Sequence, residues 1–434
     1  MIGFRHVIIG AVVFLVARGA ASGVERFPPP DFVETNHSIP SPTVPGPRQD
    51  VYEYIDVVVL LGALVLSSYL VLKRRSRRAV FGLMVFSLAY FGFWRKGCVC
   101  PIGAIQNVVL SIFDRSYVMP VTVAAFFLLP LVFTLFFGRT FCAAVCPLGA
   151  IQDLAALRPI AIPRWLESGL RLFAYGYLGA AVLFAATGSA FAICRYDPFV
   201  AFFRLSGRLN ILIIGVCLLL IGVFIGRPYC RFICPYGVIL RQLSRISSRR
   251  VTITPDECIK CRLCEDSCPF GAIREPTAAW PAGYYVKSKK RLAFLIVLLP
   301  ALVLAGGRLG AGLKAVTGRA HATVRLAERV YLEEEGKVEG TTDASSAFRA
   351  TGKEVKDLYD EASALIDRFG MGGWFFGGFV GLVVGLKLIT VSVRRQRTDY
   401  EADRASCLAC GRCFEYCPRE QLRLKKAKET VGKG

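Results

Sequence analysis

Histidine is almost missing from this chain: His6, His37 and His321 are the three in 434 residues. None stands within an apolar run, and no Cys-x-x-Cys-His occurs. A dihaem b-type or a c-type cytochrome therefore has no ligands here, and no haem is expected. Charge is scarce too, at 20% of residues against 54% hydrophobic, with a mean hydropathy of +0.48. Such a chain is too apolar for an ordinary soluble domain, and its excess lies in runs of membrane-crossing length. No P-loop, dinucleotide fingerprint or Ser/His/Asp constellation is present, which leaves the common nucleotide and acyl-transfer chemistries without a motif.

Acidic side chains are outnumbered, 32 Asp and Glu against 54 Lys and Arg, for a formal charge of +22. A surplus of that size suits nucleic acid or a membrane surface. The basic clusters Lys73–Arg78, Lys287–Arg291 and Arg394–Arg397 sit directly beside apolar runs, where they hold a loop on the cytoplasmic side. Membrane lipid is thus the expected surrounding, and nucleic acid is not.

Cysteine, in contrast, is plentiful at sixteen, and fourteen fall in C-x-C, C-x2-C or C-x3-C groupings that run into proline. Clustering of that kind points to metal thiolates rather than to a disulfide framework. Two separated stretches share one spacing: Cys258, Cys261, Cys264, Cys268-Pro269 and Cys407, Cys410, Cys413, Cys417-Pro418. Two-cluster bacterial ferredoxins use this run, each motif giving three thiolates to one [4Fe–4S] cluster and its fourth to the other. The expected sets are therefore Cys258, Cys261, Cys264 with Cys417, and Cys407, Cys410, Cys413 with Cys268. Such an exchange requires the two stretches to meet on one side of the membrane.

Counting spans from the N-terminus satisfies that requirement. Residues 1–23 read as a signal sequence, with an uncleaved anchor as the alternative, and 24–50 as a Pro-rich extracytoplasmic linker. Spans are expected near 52–72, 79–95, 117–137, 170–193, 208–226, 291–306 and 371–392. The first delivers Lys73–Arg78 to the cytoplasm, and the alternation brings both ferredoxin motifs to that side. The domains that follow are a transmembrane bundle over 51–250, ferredoxin halves at 251–289 and 393–434, and a transmembrane hairpin over 290–392. Its segment 307–370 lies outside, with helical periodicity at 321–335 and 346–368. Thr341–Ser346 reads as a plain polar loop.

The bundle contains a repeat. Gly138-Arg139-Thr140-Phe141-Cys142 answers Gly226-Arg227-Pro228-Tyr229-Cys230, and Cys146-Pro-Leu-Gly-Ala-Ile answers Cys234-Pro-Tyr-Gly-Val-Ile. Two out-and-in hairpins, 79–157 and 169–247, related about an axis along the membrane normal, would each give two thiolates. Cys142, Cys146, Cys230 and Cys234 then make a third iron–sulfur centre at the inner face. A structural zinc with four thiolates, or a redox-active dithiol, is the alternative. At the outer face, Cys98, Cys100 and Cys194 give only three thiolates. Asp197 as fourth ligand, a partner subunit or a disulfide could complete that group, although Asp before Pro is the pattern of a helix N-cap. Cys217, inside an apolar run, reads as packing.

Apolar spans bearing C-x3-C-Pro, followed by paired ferredoxin motifs, resemble the NosR/NapH-type membrane polyferredoxins over residues 51–275 and 371–420. The resemblance implies an all-α, polytopic helical membrane bundle with a duplicated two-helix hairpin. To this is joined a small α+β ferredoxin domain assembled from two separated segments on the cytoplasmic side of a bacterial inner membrane. It further implies clusters at the eight ferredoxin cysteines and a redox role for Cys142, Cys146, Cys230 and Cys234. Only a short linker precedes the first span, so no flavin is expected on this chain.

An iron–sulfur centre exchanges one electron and binds no substrate by itself. The expectation is an electron-transfer subunit rather than a stand-alone enzyme. It would work between a cytoplasmic ferredoxin or quinone-pool donor and an extracytoplasmic flavoprotein or reductase. The alternative is an assembly factor that reduces a metal or thiols during maturation of a respiratory metalloenzyme.

Overall fold

The computed structural model describes residues 49–97, 100–157, 159–160, 162–204, 209–253, 258–277, 284–393 and 396–431. The signal sequence or anchor, most of the linker and Cys98 lie outside the described residues. Helix α1 (Asp50–Tyr69) continues through a π-helical turn to Arg74 and stops where Arg75 turns left-handed, at φ 52°. Ser76 caps the next helix, its Oγ accepting from Ala79 N at 3.4 Å. That helix, α2 (Arg77–Ser87), also passes into a π-helical segment, ending at Trp94. An antiparallel pair follows, α3 (Pro101–Phe113) and α4 (Val121–Phe137).

Short helices then carry the cysteine pairs: α5 (Thr140–Ala144), α6 (Pro147–Ala155), the long α7 (Arg164–Ala186), α8 (Ala192–Tyr196), α9 (Pro198–Arg204), α10 (Leu209–Phe224), α11 (Pro228–Phe232) and α12 (Pro235–Arg245). The first ferredoxin motif holds α13 (Leu263–Asp266) and β1 (Ile273–Arg274). A long helical hairpin runs through α14 (Tyr284–Gly312), α15 (Lys314–Gly318), α16 (Ala322–Glu334), α17 (Asp343–Ala350) and α18 (Val355–Ser392). The second motif closes the chain with β2 (Glu401–Ala402), α19 (Arg412–Tyr416) and α20 (Pro418–Val431).

Among the described residues four helices are long and apolar enough to cross a membrane: Val51–Arg74, Trp165–Ala186, Ser288–Gly312 and Val355–Ser392. A fifth crossing exists only if α9 and α10, bent by 104°, count as one broken span. The sequence leads to seven spans, and the difference has a physical cause. The run at 79–95 changes helix type at Leu88, and the run at 117–137 shortens to the 17-residue α4. At 1.5 Å per residue α4 covers about 25 Å, short of the roughly 30 Å hydrocarbon core. Hydropathy reports that these residues are buried, and here much of that burial is against other helices.

A large core cluster joins α1, α2, α3, α5, α6, α11 and α12, with Leu64, Met84, Ile102, Leu148, Tyr229 and Tyr236 fully buried. The α14–α18 hairpin is held differently. Gly306 and Gly310 of α14 face Gly373 and Gly377 of α18, and a Cβ at any of the four would collide with a carbonyl of the opposite helix. This is small-residue packing, in which backbones approach closely because lipid offers no hydrophobic drive between helices. At 38 residues α18 is about 57 Å long, so nearly half of it stands beyond the membrane core. There α16 and α18 share a small apolar core, Val324, Ala327 and Val330 against Leu358, Ala362 and Leu365. The periodicity expected over 346–368 breaks between α17 and α18, and the polar stretch before it is a capping box, with Thr342 and Ser345 bonding reciprocally.

Candidate metal centres

Cys100, Cys146 and Cys234 occupy one local geometry. Each is the N-cap residue of a helix whose first residue is proline. At Cys234 the glycine at the third helical position closes the turn, the Gly237 N–H meeting the sulfur at 3.3 Å, and Gly103 and Gly149 hold the same position after Cys100 and Cys146. Proline ends the incoming chain and presets the outgoing helix, while the free N–H groups and the helix dipole favour a thiolate.

Cys142, Cys146, Cys230 and Cys234 come together inside the bundle, all within electrostatic reach of one another. Gln152 Nε2 lies 3.4 Å from Cys230 Sγ, and its Oε1 accepts from Tyr229 N at 3.0 Å. The same relation recurs nearer the other end of α1: Gln106 Oε1 accepts from Ile193 N at 2.9 Å and Cys194 N at 3.4 Å. Both glutamines complete an identical phrase, Cys-Pro-x-Gly-Ala-Ile-Gln, at 100–106 and 146–152. The repeat was visible in the sequence, but the glutamine one step past the isoleucine carries the contact.

Two arginines at equivalent repeat positions serve different ends. Arg227 is fully buried in a left-handed backbone conformation at φ 51°, bonded to the carbonyls of Cys142 and Ala143 and to Asp153 at 3.3 Å. These bonds offset the backbone cost of that conformation, of order 1 kcal/mol. Arg139 instead reaches Cys142 Sγ at 3.7 Å and the Ala405 carbonyl at 3.4 Å, linking the bundle to the second ferredoxin segment. Its Nε is buried with no partner among the described residues.

The two ferredoxin stretches meet through β1 and β2, paired antiparallel with Ile273 opposite Ala402. Cys258, Cys261, Cys264 and Cys417 line one small cavity. Cys268 lies with Cys407, Cys410 and Cys413, and Cys413 in turn is within reach of Cys264. The motifs share a backbone trace, since the residues on either side of each second cysteine are left-handed: Lys260 and Arg262 in one, Ala409 and Gly411 in the other. Such turns point successive N–H groups inward as a nest for an anion, and Ala409 N lies 3.4 Å from Cys407 Sγ.

Burial, with neighbouring thiols adding to it, pushes Cys264 up to about 11. Burial likewise raises Cys407 to about 12, partly opposed by the Ala409 N–H. Thiols so placed stay protonated near neutral pH unless iron displaces the proton. The donor set fits that group: buried cysteine sulfurs met by N–H donors, with an orphaned arginine nitrogen beside them. Among the described residues no three His, Cys, Asp or Glu side chains converge to hold a single metal ion. A cubane divides its four thiolates among four irons and asks for a wider set.

The basic cluster after the first span has a second role beside its place next to lipid. Arg75 pairs with Glu420 at 2.7 Å and stacks on Phe414, its guanidinium 4.5 Å from the ring centre. Arg77 bonds the Cys410 carbonyl at 3.2 Å and Asp153 at 2.7 Å. Asp153 also meets Arg227 at 3.3 Å and Arg412 at 3.5 Å, so one carboxylate ties bundle to ferredoxin domain.

At the remaining site, Cys100, Cys194 and Asp197 border a cavity of about 250 Å³. Asp197 caps α9, Oδ1 accepting from Phe199 N at 2.9 Å, and its Oδ2 accepts from Tyr229 Oη at 3.1 Å. Cys100 is also within electrostatic reach of Cys146. Helix α1 gives the spacing. Asp56 holds Arg95 on the segment leading to Cys100, and Ser67 and Ser68 hold Thr140 beside Cys142. These levels are about 16 Å apart along the helix. Cys217 is exposed on α10, away from every set.

Comparison with known proteins agrees with this reading of the cysteines. Two family models, both described as 4Fe–4S binding domains, match the chain. One fits three times, over residues 79–120, 119–164 and 207–254, and the other once, over 251–274. The expected hairpin 79–157 thereby divides in two, each part with its own cysteine pair. The chain is 29% identical to YccM of Escherichia coli strain K12, whose name assigns it provisionally to electron transport, over 39% of this chain and 52% of that protein. It is 28% identical to an uncharacterised protein of Methanocaldococcus jannaschii, over 42% of this chain and 77% of the relative. It is 30% identical to NirI of Paracoccus denitrificans, over 49% of this chain and 34% of NirI. The match thus spans about half the length of YccM and a third of NirI. No solved structure matches. The chain thus carries repeated 4Fe–4S binding domains together with membrane-length apolar helices, the combination that its resemblance to the membrane polyferredoxins implies.

Proposed function

We propose that this protein conducts electrons through the membrane along successive cysteine-held centres. One [4Fe–4S] cluster is held by Cys258, Cys261, Cys264 and Cys417, a second by Cys407, Cys410, Cys413 and Cys268, and a third iron–sulfur centre by Cys142, Cys146, Cys230 and Cys234. An outer metal centre at Cys98, Cys100 and Cys194 extends the series. The observation that carries the proposal is continuity. Cys413 is within electrostatic reach of Cys264, Cys142 packs in the same apolar cluster as Cys268 and Cys407, and Cys146 is within electrostatic reach of Cys100.

An iron–sulfur cluster bound at such a set supplies reversible one-electron exchange. The protein's own residues set its conditions. The Gly237 and Ala409 N–H groups, Gln152 and Arg139 direct hydrogen-bond donors at the sulfurs, which favours the more negative reduced state. Buried Phe270, Leu408 and Tyr236 keep water from the space between sets. Arg75 and Arg77, Asp153 and Arg139 fix the ferredoxin domain on the bundle, holding short the distance on which tunnelling depends.

Basic residues concentrate at the ferredoxin end, which supports placing that end in the cytoplasm of a bacterial inner membrane. The partners are then a cytoplasmic or quinone-pool carrier on one side and an extracytoplasmic flavoprotein or reductase on the other. The test uses proteoliposomes with ferricyanide trapped inside and a reduced low-potential dye outside. Wild-type protein should reduce the trapped ferricyanide, and Cys230→Ser should slow this at least tenfold. Equal rates in the two, or no rate above empty liposomes, would contradict the proposal.

A further inference from the structure

One cavity among the described residues lies outside the cysteine sets. It holds about 490 Å³ between the end of the bundle and the second ferredoxin segment. Five arginines line it: Arg245 at the end of α12, Arg250 just after, Arg274 on β1, and Arg397 and Arg404 on either side of β2. Three carboxylates share the wall, Asp399, Glu401 and Asp403, which leaves an excess of positive charge. Asp403 is already committed, pairing with Arg274 at 3.1 Å and accepting from Ala405 N at 2.8 Å.

Position adds to charge. Arg397 follows α18 by five residues, so the cavity opens where that helix leaves the membrane core. Arginine forks match phosphate oxygens in pairs, and basic pockets at the cytoplasmic ends of membrane helices suit anionic headgroups. The volume far exceeds one inorganic phosphate and admits a larger phosphate-bearing molecule. Tyr400 forms part of the wall and packs, on the ferredoxin side, with Cys258, Cys264 and Cys413.

We propose that this cavity binds a phosphate-bearing anion, either an anionic phospholipid headgroup or a soluble phosphate compound, directly beside the ferredoxin clusters. The site is independent of the direction of electron flow. Full-length protein in a zwitterionic detergent is titrated at constant ionic strength with phosphatidylglycerol, phosphatidylcholine or inorganic phosphate, and its thermal midpoint is read. Phosphatidylglycerol or inorganic phosphate should raise the midpoint by several degrees, and phosphatidylcholine should not. The paired substitution Arg250→Gln with Arg397→Gln should remove most of that rise. A rise with phosphatidylglycerol alone assigns a lipid headgroup, and an equal rise with inorganic phosphate assigns a soluble anion. No rise with either anion, or a rise undiminished in the double variant, overturns the site. If the double variant does not fold, native mass spectrometry of the wild type decides: retained phosphatidylglycerol or phosphate adducts without phosphatidylcholine adducts support the site, and their absence overturns it.

Discussion

The guanidinium of Arg139 lies 3.7 Å from the sulfur of Cys142, with its other terminal nitrogen on the Ala405 carbonyl of the ferredoxin segment. One positive charge thus stands between the cysteine set inside the bundle and the set at Cys407. Arg139→Gln removes that charge and should lower the reduction potential of the bundle centre by roughly 60 mV, one tenfold step in a one-electron equilibrium. A potentiometric titration followed by EPR measures this, and an unchanged potential would deny Arg139 its tuning role.

The crossed ligand sets give a second expectation. Cys417 lines the cavity of Cys258, Cys261 and Cys264, not that of its own motif. Cys417→Ser should therefore alter the EPR signal of the first-motif cluster, and Cys268→Ser that of the second. If each substitution disturbs only the cluster of its own motif, the exchange is wrong.

Asp153 concentrates the docking of the ferredoxin domain, since Arg77, Arg227 and Arg412 converge on its carboxylate. Asp153→Asn leaves three buried or half-buried guanidinium groups underpaired, at a cost of about 3–5 kcal/mol. Limited proteolysis should then cut the segment between α18 and β2 much faster than in the wild type. Equal cutting rates would mean that Asp153 does not hold the domains together.

The glycine seam gives a fourth. Gly377→Ala places a methyl against the Gly306 carbonyl and should destabilise the α14–α18 hairpin by roughly 1–3 kcal/mol. Gly62→Ala on α1 meets nothing within 4 Å, so helix propensity should make it neutral or stabilising by up to about 1 kcal/mol. Thermal unfolding of the two variants side by side checks the contrast.

Much of this was legible before the fold was known. The ferredoxin spacing leads one to expect Cys417 beside Cys258 and Cys268 beside Cys407, and the structure places them so. The C-x3-C-Pro pairs likewise announce that Cys142 and Cys230 meet. Hydropathy overstates the helix at α4, expected over 117–137 and found over Val121–Phe137, because it counts apolar residues and not the turn before them. The Gly373, Gly377, Gly381, Gly385 series is visible at four-residue spacing, yet only the facing Gly306 and Gly310 show which helix it serves. Arg75 and Arg77 read as membrane flanks, and their ties to Glu420 and Asp153 depend on contacts across the whole chain. Gln106 and Gln152 each stand beside another polar residue, Asn107 and Asp153, and their meaning lies in the backbone they reach.

The account rests on iron–sulfur clusters at the cysteine sets. The most direct test is anaerobic purification of the full chain, with iron, zinc and acid-labile sulfide measured per chain and low-temperature EPR after reduction. Two [4Fe–4S] clusters and a third iron–sulfur centre correspond to about 10–12 iron and about 10–12 sulfide per chain, with reduced-cluster signals that interact magnetically. Zinc in place of iron, or reduced protein without a cluster signal, would contradict the account.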